Sequence, residues 1–150
     1  APGSGGRLDR QQRGRETFMG IELPTTLSLA AAAALVNFWL ATRIGRLRIS
    51  EKVLHGDGGN PLIARRMRAQ LNFAENVPLI LILFAAIELS GRGGIWLPLV
   101  GGVFMLGRVA HAYGMDADYP HKARSAGVIV TMLTGLGLAV YAALIAARVA

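Results

Sequence analysis

The 150-residue sequence contains no cysteine, few aromatic residues and few charged residues. The absence of cysteine excludes a disulfide scaffold, a protein thiolate nucleophile and a zinc site with cysteine ligands. Charged residues make up 17% of the chain and hydrophobic residues 53%, whereas soluble domains average about 25% and roughly 45–50%. GxGxxG, GxSxG and HExxH patterns are also missing. The composition therefore disfavours the common soluble enzymes, and we expect no metal site.

The chain has long apolar runs and an excess of positive charge instead. Lysine and arginine together number 16 and aspartate and glutamate 9, which gives a formal net charge of +7. An apolar and basic composition favours a membrane protein with charged connections over a nucleic-acid binder. We therefore expect the lipid bilayer, and no nucleic acid, as a partner.

Residues 1–18 differ in composition from the rest of the chain. They are rich in glycine, arginine and glutamine and lack the apolar run that a secretory signal requires. We interpret them as a disordered tail or an expression remnant, with Met19 as the native start. Residues 19–150 are then expected to form a single domain.

Four apolar stretches predict an all-α, integral membrane bundle of four transmembrane helices. They are residues 23–41, 77–89, 95–112 and 126–147. A spanning helix needs about 20 apolar residues. The second stretch reaches that length only if its helix starts near Ala64, and no helix breaker lies between Ala64 and Val77. Pro78 is the one candidate for a kink in this helix.

The charges predict the orientation of the bundle. With residues 1–18 left aside, ten basic residues lie in the first connection, residues 42–68, and around the third, whereas only Arg92 and Arg148 lie at the other end. The positive-inside rule then places the first and third connections in the cytoplasm and both termini on the non-cytoplasmic side. Most of these arginines are expected to snorkel to the membrane interface.

Polar residues of the predicted helices cluster at this basic end. At 100° per residue, one arc of about 100° on the second helix holds Arg65, Arg68, Asn72, Glu75 and Asn76. Such residues form either a buried structural network, for example with Arg68 paired to Glu75, or a polar ligand site. Because arginines outnumber acids there, the ligand would carry carboxylates, and Glu75 would bind an ammonium group.

The other helices add weaker polar faces at the same end. Arg108, His111 and Met115 share one face of the third helix. Arg124 and Thr131 share a face of the fourth helix, where Gly127, Thr131 and Gly135 are spaced for close helix packing. The glycines of residues 56–59 predict a tight turn, because the lysine of a phosphate-binding loop is missing.

Four segments resemble motifs of the MAPEG family, the membrane-associated proteins in eicosanoid and glutathione metabolism. RMRAQLNFAENVP at residues 66–78 resembles its second-helix signature, and HGDGGNP at residues 55–61 is similar to the loop of its bacterial branch. GRVAH at residues 107–111 and ARS at residues 123–125 resemble motifs of glutathione-using members. The resemblance implies a homotrimer in the bacterial inner membrane, with glutathione between subunits near the cytoplasm.

The resemblance also assigns site residues. It implies that glutathione is bound by Arg46, Arg68, Asn72, Glu75, His111 and Ser125. Arg124 matches the catalytic arginine that stabilises the glutathione thiolate. The implied activity is that of a glutathione transferase or peroxidase whose second substrate, a lipophilic electrophile or hydroperoxide, enters from the bilayer.

Two other functions remain open from the sequence. Leu71, Met115 and Val128 stand where some members of the family carry an arginine and tyrosines. This difference favours a non-catalytic lipid-binding protein or an accessory subunit of a larger membrane complex. A small exporter with Glu75 as its coupling carboxylate is the third hypothesis, although such exporters need an acid in the first helix, which offers only Asn37.

Overall fold

The computed structural model describes residues 22–149, so the predicted tail at residues 1–18 lies outside the described residues. Its helices in chain order are α1 (Pro24–Ser50), α2 (Pro61–Leu89), α3 (Trp96–Gly114) and α4 (Lys122–Ala146). Each predicted apolar stretch lies within one helix, apart from a single residue at an end, which confirms the all-α class. By length and composition, α1, α2 and α4 can each cross a membrane. The 19 residues of α3, at about 1.5 Å each, nearly span a hydrocarbon core of about 30 Å.

The first connection is shorter than the sequence predicts. We expected it at residues 42–68, but α1 continues to Ser50 and α2 begins at Pro61. Hydropathy falls after Ala41, yet the arginines and leucine that follow favour a helix. Asn60 starts α2, because its side chain accepts hydrogen bonds from the backbone N–H groups of residues 62 and 63. The single long second helix is confirmed, and Pro78 lies within it.

The glycine-rich segment forms the predicted tight turn. Gly56, Gly58 and Gly59 have φ values of 63°, 59° and 76°, which lie in the left-handed region that favours glycine. The Asp57 carboxylate accepts a hydrogen bond from the Gly59 N–H at 3.0 Å. These contacts close the connection between α1 and α2.

The helices pack in an order that leaves α1 and α4 apart. α1 contacts α2 and α3, and α4 contacts α3 and α2; in residues 22–149, α1 does not contact α4. Phe84, Leu97 and Phe104 are fully buried at the centre, whereas Leu35 and Phe38 are among many exposed apolar side chains. An apolar exterior of this extent suits a protein that lies in lipid.

The chain direction defines the two ends of the bundle. The connections at residues 51–60 and 115–121 lie together at one end, here called the basic end. The start of α1, the connection at residues 90–95 and the end of α4 lie at the opposite end. The arginine-rich segments of the sequence are therefore at one end of the fold.

Small residues on α4 allow the close packing that their spacing predicts. A Cβ atom added to Gly127 would lie 2.4 Å from the carbonyl oxygen of Gly107 on α3. Gly135 faces Ile80 of α2, and a Cβ there would lie 3.6 Å from its side chain. At Gly127 the α3 and α4 backbones are too close for any side chain.

Gly127→Ala is expected to lower the free energy of unfolding by about 1–3 kcal/mol, because the added methyl group must separate α3 from α4. Thermal unfolding in detergent, followed by circular dichroism, measures the loss. Gly137→Ala on the same helix is the matched control, since no atom lies within 4 Å of its Cβ position. Equal stability of the two variants would show that α3 and α4 are not in this contact.

A carboxylate from α2 caps α1 at the opposite end. Leu23 precedes α1 and offers no side-chain cap. Glu88 instead accepts hydrogen bonds from the backbone N–H of Thr25 at 2.8 Å and of Thr26 at 2.9 Å, and from the Thr26 hydroxyl at 2.7 Å. This anion satisfies free donors and interacts favourably with the helix dipole.

Glu88→Gln is expected to destabilise the bundle by about 1 kcal/mol, because the amide has one acceptor oxygen and no charge. Glu51→Gln is the control, since Glu51 is exposed and follows the C-terminal end of α1. There a negative charge opposes the helix dipole, so its removal should be neutral or slightly stabilising. Detergent unfolding curves that show equal losses for both variants would contradict the capping role.

Candidate functional site

Asp116, in the connection between α3 and α4, holds the basic end together. Its carboxylate accepts hydrogen bonds from Arg43 of α1 and from Arg66 of α2, the latter at 3.0 and 3.2 Å. Arg65 donates to the backbone oxygen of Asp116 at 3.2 Å and forms an ion pair with Asp118 at 2.6 Å. Each of these three arginines is therefore bound to the connection between α3 and α4.

Arg108 joins three helices in the interior. It is only 1% exposed, and its guanidinium donates to the Asn72 side-chain oxygen at 2.7 Å and to the Thr131 hydroxyl at 2.9 Å. Both partners are neutral, and within the described chain the Arg108 Nε has no hydrogen-bond partner. The bridge fixes the orientation of the Asn72 side-chain amide.

The sequence interpretation left Arg108 out of the candidate site. The sequence does place Arg108 on the same helix face as His111 and Met115. In the structure this face points into the bundle, and all three side chains are buried. The neutral partners lie on α2 and α4, and a single-helix projection cannot show that contact. Asp116 was missed for the same reason, although the acids of residues 116 and 118 stand out in a basic region.

His111 supports the backbone that carries Arg124. The His111 side chain is 4% exposed, and its Nδ1 lies 3.3 Å from the Arg124 carbonyl oxygen. A Cβ added to Gly114 would lie 2.3 Å from the Arg124 backbone nitrogen. The end of α3 and the first turn of α4 are thus in direct contact. His111 positions Arg124 through its backbone carbonyl group and leaves the Arg124 side chain exposed.

The remaining predicted residues are exposed. They are Arg46, Arg68, Glu75, Arg124 and Ser125. Among residues 22–149, no ion pair joins Arg68 to Glu75. The residues on the polar face of α2 therefore fall into two groups. Arg65 and Asn72 are bound to other residues of the chain. Arg68 and Glu75 are exposed and available to a ligand or a partner.

A small cavity lies beside the first turns of α4. It has a volume of about 300 Å³ and is lined by Pro120, Arg124, Ser125, Val128 and Ile129. Arg124 and Ser125, which are neighbours in the sequence, both line this cavity, whereas Arg46, Arg68 and Glu75 do not. A guanidinium and a hydroxyl beside apolar side chains can hold an anionic atom next to a lipophilic group. No cluster of three His, Asp or Glu side chains in the described part of the chain is suited to a metal ion.

These features define the class of protein: an integral membrane helical bundle with exposed arginines around a polar interior at one end. A sequence model of the MAPEG family matches residues 26–144. The chain therefore belongs to the MAPEG family, as its motifs predict.

The chain is also similar to curated bacterial relatives. Inner membrane protein YecN of Escherichia coli K12 is 29% identical over 85 residues, which is 57% of this chain and 65% of YecN. The YecN protein of Escherichia coli O6:H1 matches with the same identity and coverage. The alignment thus covers a little less than two thirds of each relative.

Proposed function

We propose that this protein is a glutathione-dependent transferase or peroxidase of a bacterial inner membrane, and that it acts on lipophilic electrophiles or hydroperoxides. The observation that carries the proposal is the exposure of Arg68 and Arg124 toward the basic end and of Glu75 near the middle of α2. Arg43, Arg65 and Arg66 are instead bound to aspartates. Exposed cations with one nearby acid suit a ligand that has carboxylates and one amine. The similarity to the inner membrane protein YecN supports the membrane assignment.

Glutathione supplies the groups that this set can bind. It carries two carboxylates, an α-amine and a thiol. Arg46 and Arg68 would bind the carboxylates, the Asn72 side-chain nitrogen would donate to one of them, and Glu75 would accept from the ammonium. His111 and Ser125 would position the chain around Arg124, whose guanidinium would face the sulfur.

The distribution of these residues supports assembly as a homotrimer with sites between subunits. The exposed members lie on α1, α2 and α4, and the cavity beside Arg124 is lined by residues 120–129 alone. A neighbouring copy would cover these faces and remove water from the ligand. The positive-inside rule supports a cytoplasmic location for the basic end and a non-cytoplasmic location for both termini.

Arg124 would carry the chemical step. A free thiol has a pKa of about 8.5, and only the thiolate attacks efficiently. A guanidinium within hydrogen-bond distance favours the thiolate, the more so where Val128 and Ile129 limit water. The sulfur would then bond to an electrophilic carbon, and a leaving group would depart or, in an addition, the adjacent carbon would take up a proton. With a hydroperoxide, the sulfur would attack oxygen as the O–O bond breaks, which gives an alcohol and glutathione sulfenic acid. A second glutathione would convert the sulfenic acid to glutathione disulfide and water.

Calorimetric titration of the detergent-solubilised protein with glutathione tests the proposal. We expect saturable binding that Arg68→Ala and Glu75→Gln each weaken at least about tenfold, because a charge-assisted hydrogen bond contributes about 1.5–3 kcal/mol. Lys122→Ala, which removes another exposed cation near Arg124, should bind like the wild type. Absence of binding to the wild type at millimolar glutathione would exclude a glutathione-dependent enzyme.

One observation favours a second function, a non-catalytic lipid-binding protein or accessory subunit of a larger membrane complex. Val128 and Ile129 form much of the cavity wall beside Arg124, and Ser125 supplies the one hydroxyl among the lining residues. Met115 is buried and adds no polar group there. This function predicts a stoichiometric co-purified lipid or protein together with no glutathione binding.

A further inference from the structure

A larger apolar groove lies between α3 and α4, away from the candidate site. Its volume is about 660 Å³, and its lining includes Trp96, Leu99, Val103, Leu133, Gly137 and Tyr141. Ligand pockets typically have volumes of about 300–1,000 Å³. Leu99, Val103 and Leu133 are 68%, 56% and 67% exposed, so the groove opens outward, toward lipid.

The groove belongs to the opposite end of the bundle. Trp96 begins α3, and Tyr141 lies near the end of α4. Gly137 follows Arg124 by 13 residues on α4, which corresponds to about 20 Å along a helix. The groove is therefore separate from the cavity that contains Arg124 and Ser125.

Gly137 is an exposed part of the groove wall, and its missing side chain leaves open space there. No atom lies within 4 Å of the position where its Cβ would be. Neighbouring side chains of α3 and α4 do not close this gap, whereas Gly127 on the same helix lies against the α3 backbone. The helices thus touch near the basic end and leave room for a slender apolar chain toward the opposite end.

The backbone of Arg92 lies at the end of the groove. The Tyr141 hydroxyl donates to the backbone oxygen of Arg92 at 3.3 Å, and the Arg92 side chain is exposed. Trp96 packs edge-on against Tyr141 with ring centroids 5.3 Å apart. Tryptophan and tyrosine favour the membrane interface, so this end of the groove lies at the depth of lipid headgroups.

Arg92 has no carboxylate partner within residues 22–149. Glu88 is the acid nearest to Arg92 in the sequence, but its carboxylate is bound to the backbone at the start of α1. The exposed Arg92 guanidinium therefore has no anion within the described residues and can bind one that approaches from the bilayer surface.

We propose that the groove binds one acyl chain of an anionic phospholipid and that Arg92 binds the headgroup phosphate. The apolar wall matches a hydrocarbon chain, and a guanidinium binds phosphate through paired hydrogen bonds. A second copy of the protein would bury the apolar wall, but it offers no anion that the structure places opposite Arg92. The lipid supplies both parts in one molecule, at the correct depth.

Quenching of Trp96 fluorescence by brominated lipids tests this site. The chain has two tryptophans, and Trp39→Phe leaves Trp96 as the single reporter. The protein is reconstituted in phosphatidylcholine vesicles that contain increasing fractions of phosphatidylglycerol or phosphatidylcholine with brominated acyl chains. We expect half-maximal quenching at a several-fold lower mole fraction of the brominated anionic lipid.

Three further variants, each in the Trp39→Phe protein, assign the effect to the groove. Arg92→Gln should remove the preference for the anionic lipid, and Gly137→Leu should reduce quenching by both lipids because it fills the groove. Lys122→Gln, an exposed cation at the basic end, should leave the preference unchanged. Equal quenching by the two headgroups, or a preference that survives Arg92→Gln, would overturn the proposal. Protection of Trp96 from both lipids would show that a protein covers the groove, which also overturns it.

Discussion

Asp116→Asn is expected to lower the free energy of unfolding by about 2–3 kcal/mol, the largest stability change that we predict. Loss of the charge leaves Arg43 and Arg66 facing each other without their shared anion. Breaking a buried ion pair costs about 3–5 kcal/mol, whereas an exposed pair contributes about 0–1. The Arg43 and Asp116 side chains are 12% and 28% exposed, so the effect should lie between these limits.

Asp118→Asn is the matched control for this measurement. Asp118 is an aspartate of the same connection and pairs with Arg65, but its side chain is 85% exposed. Its loss should cost less than about 1 kcal/mol. Thermal or denaturant unfolding in one detergent compares the two variants. Similar losses would mean that Asp116 does not join α1 and α2 to the connection.

Arg124→Ala is expected to slow glutathione conjugation by about 10²–10³-fold, the loss typical when one group that stabilises a developing anion is removed. Glutathione binding should change by only a few-fold, because the proposed anchors Arg46, Arg68 and Glu75 remain. The measurement is kcat with a lipophilic electrophile at saturating glutathione, together with the glutathione Kd from calorimetry.

The relative changes of kcat and Kd in Arg124→Ala distinguish a role in the chemical step from a role in glutathione binding. Lys122→Ala should retain both values, because Lys122 is exposed on the same turn of α4 and lies outside the proposed set. A large rise in Kd with little change in kcat would make Arg124 an anchor of the peptide part of glutathione. An unchanged rate would contradict any role for Arg124 in the chemical step.

Helix number and family membership could be predicted because both depend on local sequence. The four apolar runs locate the helices, and the motif at residues 66–78 places charges where apolar residues are usual. The end of α1 could not be read from hydropathy, because its last turns are polar yet helical up to Ser50. There helix propensity and contacts with Asp116 outweigh the fall in hydropathy.

Contacts between helices could not be predicted from one sequence. A projection of α2 places Arg65, Arg68 and Asn72 on one arc, yet their partners differ. Arg65 reaches Asp118, Asn72 accepts from Arg108, and Arg68 is exposed. Which of these residues is free for a ligand depends on the positions of α3 and of the connection that follows it.

The most direct test of the proposed function is the ultraviolet absorbance of the glutathione thiolate during titration of the detergent-solubilised protein near pH 7. Free glutathione is mostly protonated there, since a thiol has a pKa of about 8.5. We predict a stoichiometric thiolate signal that Arg124→Ala loses and Lys122→Ala retains. No thiolate signal from the wild-type protein at millimolar glutathione would contradict the account and favour the lipid-binding or accessory function.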